Sequence, residues 1–148
     1  MTEVSVSSDF DQPASVVWTI IADFCGINRW LPGIERVEAE ERGKRRRIIL
    51  PDGGIVLEEE IGRDEVAMSL TYVVISAPMP FNNYRSTMRV EPRGNGCTLH
   101  WSASFNPNGP EDKVARLVGS LYRAGINGLK PIVELTVDQS VQTQSENR

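Results

Sequence analysis

The chain has 148 residues, of which 40% are hydrophobic and 24% charged, and its formal net charge is −4. That length suits one domain with room for a single core, and a net acidic balance argues against a dedicated binder of nucleic acid, which shows a clearly basic domain. No apolar stretch approaches the roughly 20 residues of a membrane-spanning helix, so no integral membrane association is expected.

The opening "MTEVSVSSDF" has no charged segment followed by an apolar run, so no signal peptide is expected. Val4 to Phe10 alternates as a strand, with Val4 and Val6 on one face. "DQPAS" then reads as a helix start, with Asp11 or Gln12 at the cap and Pro13 in the first turn. Val17, Ile20, Ile21 and Phe24 give that helix one buried stripe. A second short helical piece over Ile27–Leu31 ends at "WLPG", where Pro32 and Gly33 stop it. Cys25 and Cys97 are the only cysteines and stand in no metal-ligand spacing. A reduced, cytoplasmic chain with neither metal nor other cofactor is the expectation.

From Ile34 to Phe105, turn signals recur every ten residues or so: "ERGK", "PDGG", "GRDE", "APMPFNN" and "PRGNG". The runs between them are rich in Val, Ile, Thr, Tyr and Trp, which predicts antiparallel strands in meander order near 34–41, 45–50, 55–61, 67–75, 84–91 and 97–105. Tyr84, Ser86, Met88 and Val90 share one face, and Leu99, Trp101, Ala103 and Phe105 another. One side of the sheet is therefore apolar and the other wet. "NPNGPED" opens a long helix, with Asn108 and Glu111 in capping-box spacing. Val114, Leu117, Val118, Leu121, Gly125, Leu129 and Ile132 hold helical spacing along it. Pro131 should kink or fray its last turns, and the glycines on its buried stripe would leave volume facing the sheet. The predicted fold is α+β: a curved seven-stranded antiparallel sheet around a long C-terminal helix, with two short helices after the first strand. Residues 1–137 form the single domain, and 138–148 are expected to be a polar, disordered tail.

"PASVVWTIIADF", "INRWLPGIERVE", "GKRRRIILPDGG" and "SAPMPFNNYRSTMRVEPRGNGCTLHWSASFNPNG" resemble the polyketide cyclase/dehydrase-like branch of the START-related (SRPBCC) superfamily. The resemblance runs from about Val4 to Val133 and implies the helix-grip fold, with an apolar pocket between sheet and helix. Members bind lipids, polyketides and other hydrophobic ligands, and a minority are enzymes. "LPDGG" and "SAPMPFNNY" are similar to the two loops that close over ligand in plant abscisic-acid receptors. Glu58 and Tyr84 correspond to the glutamate and tyrosine that follow those loops. The pocket lysine of those receptors has no counterpart near "RWLPG", so the resemblance does not extend to hormone binding.

The basic run Lys44–Arg47 cannot form one patch on a strand, because successive side chains point to opposite faces. Arg46 shares parity with Ile48 and Leu50 and lies near the pocket if they face inward. The direction of Glu58 stays open. A five-residue turn after the preceding strand places Val56, Glu58 and Glu60 opposite Leu50, Ile48 and Arg46, whereas a four-residue turn places Ile55, Leu57 and Glu59 there. An inward Glu58 would be a buried carboxylate with Arg46 as its obvious partner. Tyr72, Tyr84 and Trp101 pair apolar bodies with a polar tip, which suits a ligand wall as well as a core. Trp30 could cover one end, and Met79 between two prolines is a candidate lid. Met88, Phe105, Val118, Leu121, Tyr122 and Gly125 complete the candidate ligand-binding set. His100 is the only histidine, so neither a triad nor a histidine metal site can be assembled. The expected partner is a small hydrophobic molecule, bound by a monomer or homodimer. The sequence leaves open whether the chain is an enzyme; if it is a cyclase or dehydratase, Glu58 or Tyr84 would carry the proton transfer.

Overall fold

A computed structural model describes the backbone of residues 1–146 and side chains through 137. Seven strands, β1 (Thr2–Phe10), β2 (Arg36–Glu40), β3 (Arg45–Ile49), β4 (Ile55–Asp64), β5 (Ser69–Ser76), β6 (Phe81–Arg93) and β7 (Gly96–Pro107), form one antiparallel sheet. The sheet order is β1-β7-β6-β5-β4-β3-β2, a meander from β2 to β7 with β1 returning beside β7. Helix α1 (Ala14–Ala22) and a 3-10 turn (Phe24–Arg29) follow β1, and helix α2 (Glu111–Glu146) follows β7. This is the α+β architecture that the turn spacing and alternation predict, and the helix-grip fold that the resemblance implies. No helix among the described residues is long and apolar enough to cross a membrane. The expected polar tail falls on residues outside those whose side chains are described.

Local chemistry explains most boundaries and corrects two of them. Pro13, not Asp11 or Gln12, occupies the cap of α1, with φ −58°. Its ring fixes that angle, and its carbonyl accepts from Val16 N at 3.0 Å. The capping box at α2 does not form. Asn108 instead accepts a hydrogen bond from the Asn82 amide, and Glu111 accepts one from the Thr2 hydroxyl at 2.9 Å. Helical hydrogen bonding begins at the Pro110 carbonyl, which receives Lys113 N and Val114 N.

The stripe that α2 buries is Val114, Val118, Tyr122, Ile126, Leu129 and Val133. Leu117 and Leu121 are largely exposed, so the true stripe lies slightly rotated from the predicted one. The helix also runs on beyond Pro131, because fully buried Leu129 and Val133 anchor it on either side. Nor do its glycines leave space. A Cβ at Gly125 would lie 2.8 Å from the Trp101 ring, and one at Gly128 would overlap the Trp30 carbonyl oxygen. They permit close approach of helix, loop and sheet.

Candidate functional site

Between the sheet, α2 and the loop at Leu31–Ile34 lies a partly enclosed cavity of about 220 Å³. Its walls are mostly aliphatic and aromatic, and among the described residues Arg46 and Glu58 are its only charged members.

The strand arithmetic settles how Arg46 and Glu58 meet. Ile49 pairs with Ile55, so residues 50–54 form a five-residue connection, and Arg46 stands directly opposite Glu58. Gly53, at φ 89°, supplies the left-handed residue of this turn, and Asp52 Oδ1 accepts Gly54 N at 2.8 Å. Val56 and Glu58 therefore face the interior, while Ile55 and Ile61 are exposed. Hydrophobic pattern alone favours the opposite face. Glu60 bonds Arg63 instead of facing Arg46.

The pair is buried, with side chains 3% and 10% accessible. Arg46 Nε and Nη2 both reach Glu58 Oε1 at 2.7 Å, and Nη1 donates to the Phe24 carbonyl at 2.8 Å. Its guanidinium plane lies over the Phe24 ring at 3.8 Å and the Tyr72 ring at 4.8 Å. Every nitrogen of Arg46 is thus engaged. Among the described residues, Glu58 Oε2 has no hydrogen-bond partner.

A second polar group is built from hydroxyls. Tyr72, Tyr84 and Tyr122, the only tyrosines of the chain, all line the cavity. Ser86 Oγ donates to the Ser102 carbonyl at 3.0 Å and meets the Tyr122 hydroxyl at 2.8 Å. Its one proton is spent on Ser102, so Tyr122 must donate to Ser86. Tyr122 in turn bonds the Tyr84 hydroxyl, which must then be the donor. Trp101 Nε1 lies 3.1 Å from Ser86 Oγ and 3.2 Å from the Tyr72 oxygen. Tyr72 therefore accepts from Trp101. Trp101 has one N–H to share between these two oxygens, so the Tyr72 proton is free to turn to Ser86 Oγ or into the cavity.

Burial pushes all three phenols well above their ordinary pKa. For Tyr72 the next cause is the nearby Glu58 carboxylate, and for Tyr84 and Tyr122 it is Tyr72.

Of the remaining candidates, Ile48, Leu50, Met79, Trp101 and Leu121 line the cavity. Five others lie behind its walls. Trp30 packs edge-on to Trp101 at 5.6 Å and staples the loop to α2 through the Gly128 contact. Phe105 stacks beneath Tyr84 at 5.8 Å, Met88 pairs with Trp101 across the strands, and Val118 and Gly125 belong to the helix–sheet contact. Sequence reasoning missed Phe24, Ser86 and Phe81. The shared parity of Ser86 with Tyr84 was the available signal; Phe24 acts through its carbonyl and ring face, which no side-chain pattern reveals. Two strand irregularities also bear on the site: the β4–β5 register shifts between Leu57 and Glu58, and the β6–β7 register between Asn82 and Arg85. Such bulges re-aim neighbouring side chains.

The curved sheet gripping α2, with a cavity at their junction, defines a helix-grip protein of the SRPBCC superfamily. A family model described as polyketide cyclase / dehydrase and lipid transport matches residues 1–134, and the chain belongs to that family. The structure is similar to that of XoxI from Bacillus cereus, with 26% identity and a TM-score of 0.85, covering 90% of this chain and 96% of that one. It is also similar to a Thermobifida fusca protein at 27% identity and TM-score 0.79, covering 90% and 93%. The di-domain ARO/CYC BexL of the BE-7585A biosynthetic pathway aligns at 23% identity and TM-score 0.78, covering 93% of this chain and 48% of that one. At that identity it shows the fold alone. No curated protein matches the chain.

Proposed function

We propose that the cavity binds a small hydrophobic ligand with one polar end, and that Glu58 performs acid–base chemistry on it in the manner of a cyclase or dehydratase. The observation supporting this reading is the unpartnered Glu58 Oε2 in an otherwise apolar cavity, beside the spare proton of Tyr72. Burying roughly 150 Å² of aromatic surface contributes about 4 kcal/mol, millimolar affinity at best. A hydrogen bond to a charged acceptor adds about 1.5–3 kcal/mol, so the polar wall decides which ligand stays.

The chemistry follows from the same atoms. Glu58 Oε2 takes a proton from a carbon beside a ligand carbonyl; the C–H bond breaks and its electron pair moves into the enolate. The enolate oxygen receives the hydrogen bond from Tyr72 O–H. Of the two candidate proton carriers, Glu58 suits this role and Tyr84 does not: burial keeps the Tyr84 phenol neutral, and its proton is committed to Tyr122. The family description, which spans cyclases, dehydrases and lipid carriers, supports both binding and catalysis.

Deuterium exchange into cyclohexanone in D2O, followed by NMR, tests the catalytic half. Wild-type protein is expected to accelerate exchange, and Glu58→Gln to abolish the acceleration while cyclohexanone still shifts cavity resonances. Binding without any accelerated exchange would reduce the protein to a carrier.

A further inference from the structure

We infer that the cavity selects neutral ligands carrying a hydroxyl or enol group, and rejects carboxylates and phosphates of the same shape. This deepens the ligand-binding reading above and rests on it. Four observations carry it.

First, a buried arginine in a ligand cavity would ordinarily be an anion site, but here its charge is matched by Glu58 and three of its five N–H groups are taken. Nε and Nη2 are taken by Glu58 Oε1, Nη1 by the Phe24 carbonyl, and the Phe24 and Tyr72 rings lie 3.8 and 4.8 Å from Cζ. Second, the oxygen of the pair that is left without a partner is anionic. Glu58 Oε2 can accept but not donate while the pair is ionised, and no other charged group among the described residues lines the space. A ligand carboxylate would meet like charge in an apolar enclosure and lose its hydration without compensation.

Third, the leftover donor is close to the leftover acceptor. Glu58 pairs with Val74 and Glu60 with Tyr72 across β4 and β5, so Glu58 and Tyr72 are diagonal neighbours facing the same cavity. A hydroxyl can donate to Glu58 and accept from Tyr72 through a single oxygen. Fourth, the volume and walls select a ring. A dry cavity of about 150 Å³ takes up benzene, so about 220 Å³ holds a substituted ring or a small bicycle. Trp101, stacked on Tyr122 at 4.0 Å, and Tyr84, 4.5 Å from Phe81, provide aromatic walls.

Three isosteres isolate the polar group: p-cresol (hydroxyl), p-xylene (methyl) and p-toluate (carboxylate). Titration of each into the labelled protein at pH 7, followed by amide chemical shifts, is expected to show p-cresol at least tenfold tighter than the other two. Glu58→Gln is expected to erase that advantage while p-xylene affinity stays within twofold. Tyr72→Phe leaves the ion pair in place and is expected to weaken p-cresol at least threefold, which keeps the inference testable if Glu58→Gln does not fold. Equal binding of p-xylene and p-cresol, or tighter p-toluate, would overturn the inference and leave the binding reading standing. No cavity shifts with any of the three would overturn both.

Discussion

Arg46 and Glu58 show how much one pair of residues fixes here. Removing one member leaves a buried charge uncompensated, which typically costs about 3–5 kcal/mol. Arg46→Met is therefore expected to lower unfolding free energy by about that amount in urea. Arg46→Met with Glu58→Leu should recover most of the loss, since apolar replacement of a whole buried pair is often neutral or better. The tyrosines give a separate test. Their folded pKa values lie above the unfolded value near 10, so the stability they contribute is complete below pH 10 and is lost as pH rises beyond it. Absorbance at 295 nm should stay flat through pH 10–11 in the native protein, then rise for all three tyrosines at once as the fold opens. A gradual rise with a midpoint near 10 would contradict their placement. Some of this was legible in the sequence: parity with Ile48 and Leu50 put Arg46 near the pocket if those face inward, and Tyr72 and Tyr84 stood out by their apolar bodies and polar tips. The order of proton donation was not, because it depends on Ser86 reaching the Ser102 carbonyl, a contact between strands that no single-strand pattern contains.

At the scale of elements, alternation in β6 and β7 identified the inner face correctly because every inward residue there is apolar or small. β4 defeats the same reasoning. It exposes Ile55 and Ile61 and buries Glu58, and only turn length distinguishes the two faces. The bulges in β4 and β6 were invisible too, since an extra residue leaves no compositional mark. Helix α2 misled in another way. Its glycines look like gaps in one dimension, but in three they are contact points. Gly128→Ala is expected to destabilise by about 2–3 kcal/mol, despite a gain of about 1 kcal/mol in helix propensity, because backbone at Trp30 must move. Urea denaturation checks this. Pro131→Ala, by contrast, restores a donor in a continuous helix and should raise stability, with circular dichroism showing no loss of helix.

For the whole molecule, the layered arrangement follows from a meander whose one apolar face must be covered and a single long helix available to cover it. The cavity follows from how the layers meet. Near Trp30, Gly125 and Gly128 they close tightly, while between the sheet and Leu121, Tyr122 and Ala124 the cavity remains. The family match fixes the superfamily and the fold; under the proposed function, the few polar atoms lining the cavity set the ligand. A crystal structure of the protein soaked with p-cresol tests this most directly. The account expects a ring between sheet and α2, with its hydroxyl within hydrogen-bond distance of Glu58 Oε2 and Tyr72 Oη. A space filled by protein side chains, or Glu58 turned to the outer face of the sheet, would contradict it.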